Sequence, residues 1–482
     1  MKRINSLLAA ILAGSIPVSV AAEDPYPTSP DWESADTRIS TGGALVDLDR
    51  DGWLDLVVAN GNDILEQPLA VYYNQGDGTF PVSPNWLSAD SAYHGHLDVG
   101  DVNGDGWPDV AVAVLGEFST IDHAAKLYLN NAGVLSATPD WEAAELANAF
   151  GCAFGDVNND GRPDLAVATG WSYSPQHFFH NHVYLNTGGA LAASASWSSD
   201  DDDHLQGVLW VDANDDGWLD LVGVPAGSET RIYANNGGVL ETTATWGTTD
   251  SANQDALMAT AGDVDGDGVL DLLITDNTQL SGSGRFRQYN GVAAGFFENT
   301  YDWSFYDGYG SAVALADIDA DGRLDLATGA WWDSTRVFLN PGAGLASSPD
   351  WSSTPTSVIE KIIFGDVDNF AVASSTASFP GDGRRLHYLA HQQIHGLVSV
   401  EVDGAPLSPS SFTFDAEHGW ITTGVTPTTS MEVEYLRSSS LDMAITNWDS
   451  SVGNYLYYNR IETIFSDGFE SGDTAAWFSP PE

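Results

Sequence analysis

The sequence predicts an all-β chain: a seven-bladed β-propeller of four-stranded antiparallel blades. Three observations predict it. A nine-residue acidic motif recurs at a near-constant period, a tryptophan stands at a fixed distance before each copy, and each period divides into short strands between Gly-rich turns.

The motif comes first. Its copies are DLDRDGWLD at 47, DVNGDGWPD at 101, DVNNDGRPD at 156, DANDDGWLD at 212, DVDGDGVLD at 263 and DIDADGRLD at 317. A further start, GDVDN, stands at 365–369. The period of about 54 residues is the signature of a repeat architecture. Trp32, Trp86, Trp141, Trp197, Trp246, Trp303 and Trp351 precede the successive motifs. An apolar strand such as LDLVVAN or PDLAVAT follows each motif, and the next strand ends in asparagine, as in LAVYYN, AKLYLN and TRVFLN. Alternation and β-branched content give four short strands per period. Seven such periods make a propeller. Trp32 has no preceding blade, so the N-terminal strand is expected to complete the seventh blade and leave no free edge at the seam.

The nine-residue loops and their spacing resemble FG-GAP or VCBS repeats, the propeller family that includes integrin α-subunit heads. The resemblance covers residues 28–459. It implies a calcium-binding extracellular propeller used in binding or adhesion, with its ligand on the face opposite the calcium loops.

The acidic loops have a reading of their own. Like charges about 4 Å apart repel by roughly 4 kcal/mol at an effective dielectric near 20, so each cluster needs a counter-charge. Oxygens at positions 1, 3, 5 and 9 of a tight turn converge, and Gly at position 6 permits the bend. All-oxygen ligation selects Ca²⁺, and the loops hold no Cys or His for zinc. The expected ligands are Asp47, Asp49, Asp51 and Asp55; Asp101, Asn103, Asp105 and Asp109; Asp156, Asn158, Asp160 and Asp164; Asp212, Asn214, Asp216 and Asp220; Asp263, Asp265, Asp267 and Asp271; and Asp317, Asp319, Asp321 and Asp325. That makes about six structural sites. An EF-hand is excluded because position 9 is Asp and no Glu stands at position 12.

The seventh period departs from the pattern. Phe370 and Ala371 replace the loop's Asp-Gly, and a strand resumes only at LDMAITN, residues 441–447, with Asp442 where position 9 would stand. The segment 370–440 reads as a small β insertion inside the loop of the seventh blade. No regular calcium site is expected there.

Bulk properties limit the partners. The chain has 68 acidic residues against 16 basic ones, for a net charge of −52. Such a chain repels nucleic acid and anionic lipid. Residues 1–22 have the basic start, apolar run and small-residue end of a secretory signal peptide, and no stretch is apolar enough to span a bilayer. Localisation is therefore expected to be secreted or extracellular by bacterial export, with the periplasm and cell surface both compatible. The lone Cys152 makes no internal disulfide. Residues 460–482 form a tail, and IFSDGFESGDTAAWF within it resembles a C-terminal motif of exported Gram-negative proteins.

Residues peculiar to one blade are candidates for ligand contact. They gather in the loops opposite the acidic ones: Tyr93, His94, His96, Trp171, His177, His180, His204, Trp331 and Trp332. Aromatic rings beside histidines and carboxylates suit sugar recognition, so an extracellular glycan is the expected partner and a protein the next. The alternative is a polysaccharide-degrading lyase or hydrolase using the His-rich loops. The chain holds no G-x-S-x-G, H-E-x-x-H or phosphate-loop motif, so no catalytic residue is assigned.

Overall fold

The computed structural model describes residues 24–461, apart from 117–122, 171–178, 202–203, 251–253 and 343. The signal-peptide segment and residues 462–482 of the tail lie outside the described residues, as do Trp171 and His177.

Almost all regular structure is strand. In the first sheet, Ser40–Val46, Asp55–Asn60, Ala70–Tyr72 and Trp86–Leu87 pair antiparallel in chain order. The same four-stranded pattern recurs over 94–142, 149–198, 205–247, 259–306 and 310–352. Second strands such as DLVVAN and DLAVAT are buried at every residue. They lie between sheet faces on both sides, which is why they read as unbroken apolar runs.

The first strands pack side by side in sequence. Ser40–Val46 contacts His94–Gly100, which contacts Ala149–Gly155, and the series continues through Leu205–Val211, Ala259–Gly262, Gly310–Ala316 and Ser357–Gly365 back to Ser40–Val46. This closed series is a β-propeller around a central channel. Glycine permits the close approach: a Cβ on Gly95 would sit 2.3 Å from the Phe150 carbonyl oxygen, and one on Gly151 would sit 2.8 Å from that of Gln206.

The chain ends meet within one sheet. Trp32 pairs with Leu456, so the N-terminal strand joins Ser357–Gly365, Asp442–Asn447 and Tyr455–Tyr457. Between Gly365 and Asp442 the chain forms two further sheets, one of Val372–Pro380, Ser430–Ser438, Gly396–Val402 and Ala405–Pro406, the other of Leu386–Tyr388, Trp420–Thr423 and Phe412–Asp415. They share their own core of Leu389, Ile394, Val400, Ile421, Met431 and Val433.

Neighbouring sheets are joined by two repeated contacts. The tryptophan of one period meets an aromatic of the next edge-on, as in Trp32 on Tyr72 (5.5 Å, 84°), Trp197 on Tyr233 (5.3 Å, 76°) and Trp351 on Tyr457 (5.7 Å, 82°). Such pairs add about 0.5–1.5 kcal/mol beyond their buried area. The second contact belongs to the acidic loops.

Candidate functional site

Each acidic loop wraps its backbone around the carboxylate at position 1. Asp51 and Gly52 donate their N–H groups to Asp47 Oδ1 and Oδ2 at 3.1 and 3.0 Å. Asp105 and Gly106 do the same to Asp101, Asp160 and Gly161 to Asp156, and Asp216 and Gly217 to Asp212. The carboxylate at position 9 begins the second strand and accepts two amides of its own. Leu48 N–H reaches Asp55 Oδ2 at 3.1 Å, and Asn74 N–H reaches Oδ1 at 2.8 Å. The same pair holds Asp109, Asp164, Asp220, Asp271 and Asp325.

These bonds fix the oxygens of positions 1, 3 and 9 around one point. In Asp47–Asp49–Asp55, Asp263–Asp265–Asp271 and Asp317–Asp319–Asp325 the ligand oxygens lie within 4.8 Å of one another. Asn103, Asn158 and Asn214 hold position 3 in the other three loops, where an amide oxygen replaces the carboxylate. The donor set is all oxygen, and Asp317 Oδ1 is buried with no protein partner. Both features fit a hard cation of the Ca²⁺ kind. Position 5 stands apart from the converging groups. Asp51, Asp105, Asp160, Asp216, Asp267 and Asp321 each accept the N–H of position 7, and Asp160 and Asp321 pair with Arg162 and Arg323.

The electrostatics of these carboxylates fit a site for a cation. Burial, offset in part by the amide donors and reinforced by neighbouring carboxylates, pushes Asp55, Asp109, Asp220 and Asp325 up to about 7. Burial raises Asp156, Asp212 and Asp317 to about 6. A cation among these groups would restore their ionised form.

The loop split by the insertion keeps this geometry, against the sequence expectation of an irregular site. Phe370 and Ala371 donate N–H groups to Asp366 at 2.9 and 3.0 Å. Asp442, far along the chain, accepts from Val367 at 2.8 Å and Asn459 at 2.9 Å. Asp366, Asp368 and Asp442 bring their oxygens within 4.8 Å. The insertion enters after position 6 and leaves before position 9, so backbone amides rebuild what the sequence interrupts.

Sequence reasoning missed the role of the asparagine that follows most of the third strands. Its side-chain amide reaches across to the acidic loop of the preceding sheet. Asn130 donates to the Leu48 carbonyl at 2.9 Å, Asn186 to Val102 at 2.7 Å, Asn235 to Val157 at 2.8 Å, Asn340 to Val264 at 2.6 Å and Asn459 to Ile318 at 3.0 Å. These acidic loops are thus part of the joint between two sheets; after the 212–220 loop, the next sheet has Gly291 in the asparagine's place. The recurrent YYN and YLN endings were the visible signal.

The inserted sheets lie over the acidic loops. Thr422 Oγ1 donates to Asp156 Oδ2 at 2.7 Å, Asp212 N–H donates to the Tyr388 hydroxyl at 3.0 Å, and Arg384 pairs with Asp215 at 2.5 Å. Arg385 reaches the Asn159 carbonyl, Gln392 that of Ala261 and Gln393 that of Leu315. Beneath them a cavity of about 230 Å³ occupies the channel, lined by His96, Asp98, Cys152, Lys361, Glu417 and His418 among others. Lys361 pairs with Glu417 at 3.1 Å and His418 with Asp415 at 2.7 Å.

The expected ligand residues scatter. His94 is fully buried, with Nδ1 3.0 Å from the Asn60 carbonyl oxygen. His204 and Trp331 are buried, and Trp331 Nε1 donates to the buried Glu360 at 2.8 Å. His96 faces the channel cavity and packs on Phe150 at 4.6 Å. Tyr93 is half-buried beside His123, and His180 is exposed. Trp332 is 53% exposed. The histidines therefore do not converge on one surface point among the described residues.

Comparison with known proteins places these loops. The FG-GAP-like repeat model matches residues 47–112, 113–167 and 212–274. Integrin alpha-7 of Rattus norvegicus is 33% identical over 143 residues and that of Mus musculus 32%. These matches cover 26% of this chain and 12% of each relative's length. Among solved structures, the Cps50 (Swd1) β-propeller domain of Myceliophteria thermophila aligns at TM-score 0.45 and 10% identity, over 70% of this chain and 92% of that one. BBS1N, solved in complex with ARL6DN, aligns at TM-score 0.45 and 11% identity, over 71% and 88%.

Proposed function

We propose that this chain, which carries FG-GAP-like repeats, is a seven-bladed, calcium-stabilised propeller acting outside the cell as a binding or adhesion module for carbohydrate. Residues 28–459 form the propeller, 370–440 its insertion, 1–22 the export signal and 460–482 a tail. Each contiguous acidic loop takes one Ca²⁺, and the split loop offers the same donors.

The observation that carries the assignment of faces is the insertion. Its side chains hold the loops at 156–164 and 212–220 and roof the channel, so the acidic-loop face is already occupied. By elimination the ligand is assigned to the opposite face, where second strands end. The calcium is structural: exported calcium modules bind with Kd of about 10⁻⁴–10⁻³ M, and free calcium at 100 times Kd adds about 2.7 kcal/mol per site. The charge of −52 disfavours nucleic acid and polyanions as partners.

Native gels containing neutral or acidic polysaccharides, run with calcium, test this reading. Retarded migration with polymer of unchanged length is expected. Shortened polymer would replace the binding role with catalysis, and free migration in every gel would leave a protein partner.

A further inference from the structure

Trp332 stands where two other repeats use glycine. It is the seventh residue after the last aspartate of its acidic loop, as Gly116 and Gly227 are after theirs. All three have positive φ, +98° at Gly116, +80° at Gly227 and +59° at Trp332. The backbone there is alike in detail for the last two. Strand Asp220–Ser228 bulges between Ala226 and Ser228 where it meets Gln254–Asp255, and strand Asp325–Asp333 bulges between Trp331 and Asp333 where it meets Val358 and Ser357. A bulky L-residue in the left-handed region costs free energy that glycine does not. The backbone conformation therefore gives no reason for tryptophan at this position.

The indole is also not packed away. Trp332 is 53% exposed, and Tyr309, 40% exposed, stands edge-on to it at 5.6 Å and 87°. Its base is held rigidly: the Trp331 N–H donates to the Tyr309 carbonyl at 3.0 Å, and the Trp331 indole is locked on Glu360. One residue on, Asp333 bonds Arg336 at 3.0 Å, and Arg336 also pairs with Asp307. A flat apolar ring beside fixed carboxylates and a guanidinium matches what a pyranose presents, an apolar face with hydroxyls around its rim.

We propose that Trp332 and Tyr309 form the platform on which a neutral pyranose ring of the ligand stacks, with Asp333 and Arg336 meeting its hydroxyls. This rests on the carbohydrate reading above. Neutral sugar is specified because a chain of net charge −52 repels a polyanion.

The test compares the parent with Trp332→Gly and Trp332→Asn by affinity electrophoresis in a soluble β-glucan, a galactomannan, a xylan and, as polyanion, alginate. Both replacements suit positive φ, so neither variant is expected to melt below the parent. At least one neutral polymer is expected to retard the parent, with affinity falling about tenfold or more in both variants. Variants retarded as strongly as the parent would overturn the platform while leaving carbohydrate binding intact. Retardation of the parent by alginate alone would overturn the neutral-sugar assignment. No retardation of the parent would remove the carbohydrate reading, and the platform with it.

Discussion

The side-chain amide of Asn74 donates to the carbonyl of Val367 at 3.0 Å, joining the first acidic loop's sheet to the last across most of the chain. It is the closing member of the asparagine series, and it locks the ring where the two chain ends meet. The same amide reaches the Leu54 carbonyl at 3.2 Å, while Asn74 Oδ1 accepts from Gly76 and Gly78.

Asn74→Ala, Asn130→Ala and Asn235→Ala are each expected to destabilise the fold by about 1–3 kcal/mol, because buried carbonyls lose their donor. Asn290 is the internal control. It follows Tyr289 directly, whereas Asn74 stands two residues after Tyr72 and Gly291 holds the equivalent place, and its amide points to Asp265 at 3.4 Å in its own sheet's loop. Asn290→Ala is expected to cost under about 1 kcal/mol. Urea unfolding of the four variants checks the contrast, and equal losses would contradict it.

Calcium removal is expected to lower thermal stability by an amount that depends on pH. Folded-state burial raises Asp55, Asp109, Asp220 and Asp325 to about 7, from an ordinary value near 3.8. Without metal, such groups hold protons in the fold that they lose when unfolded. Stability of the metal-free chain therefore falls as pH rises from about 4 to 7. Calcium competes with those protons, so its stabilisation is expected to be larger at pH 7.5 than at pH 5. Melting curves in calcium and in chelator at the two pH values measure the difference.

Glu360 gives a second pH dependence, away from the loops. Burial drives its carboxyl well above the ordinary range, and Oε2 has no hydrogen-bond partner. A raised acid contributes stability at low pH that is lost as pH rises. Glu360→Gln keeps an acceptor for Trp331 and removes the charge. The variant is expected to match the parent at pH 4 and to melt higher at pH 8. A lower melting temperature at pH 8 would contradict this.

His418 behaves with the opposite charge logic at the seat of the insertion. Burial lowers its affinity for a proton, but Asp415 at 2.7 Å, with Glu417 nearby, raises it above the ordinary 6.5 overall. Its contribution is fully present below pH 6.5 and is lost as pH rises through the raised value. His418→Gln is expected to abolish that part of the pH dependence, read as hydrogen exchange of the inserted sheets between pH 5.5 and 8.5.

Much of the architecture was legible because repetition makes local signals redundant. The acidic motif, the preceding tryptophan and the apolar second strand locate the repeated sheets, and the orphan Trp32 strand pairs with Leu456 as the period demands. The split loop was legible as an insertion with Asp442 at position 9, but not as an intact cluster, because the sequence does not show that the two halves meet in space. Asp442 replaces a local ligand through space, held by Val367 and Asn459 amides. The ligand face was the least legible. His94 and His204 look like exposed loop residues in sequence, but both are buried at the starts of first strands. Trp332 was named from sequence as peculiar to its blade, but its positive φ and its exposure are visible only in the structure.

The most direct measurement is the number of calcium ions held by the folded chain, by native mass spectrometry after equilibration in calcium and buffer exchange. Six ions from the contiguous loops are expected, with a seventh from the split loop that Asp442→Asn alone removes. A folded chain that binds no calcium and melts identically in chelator would contradict the calcium-stabilised propeller.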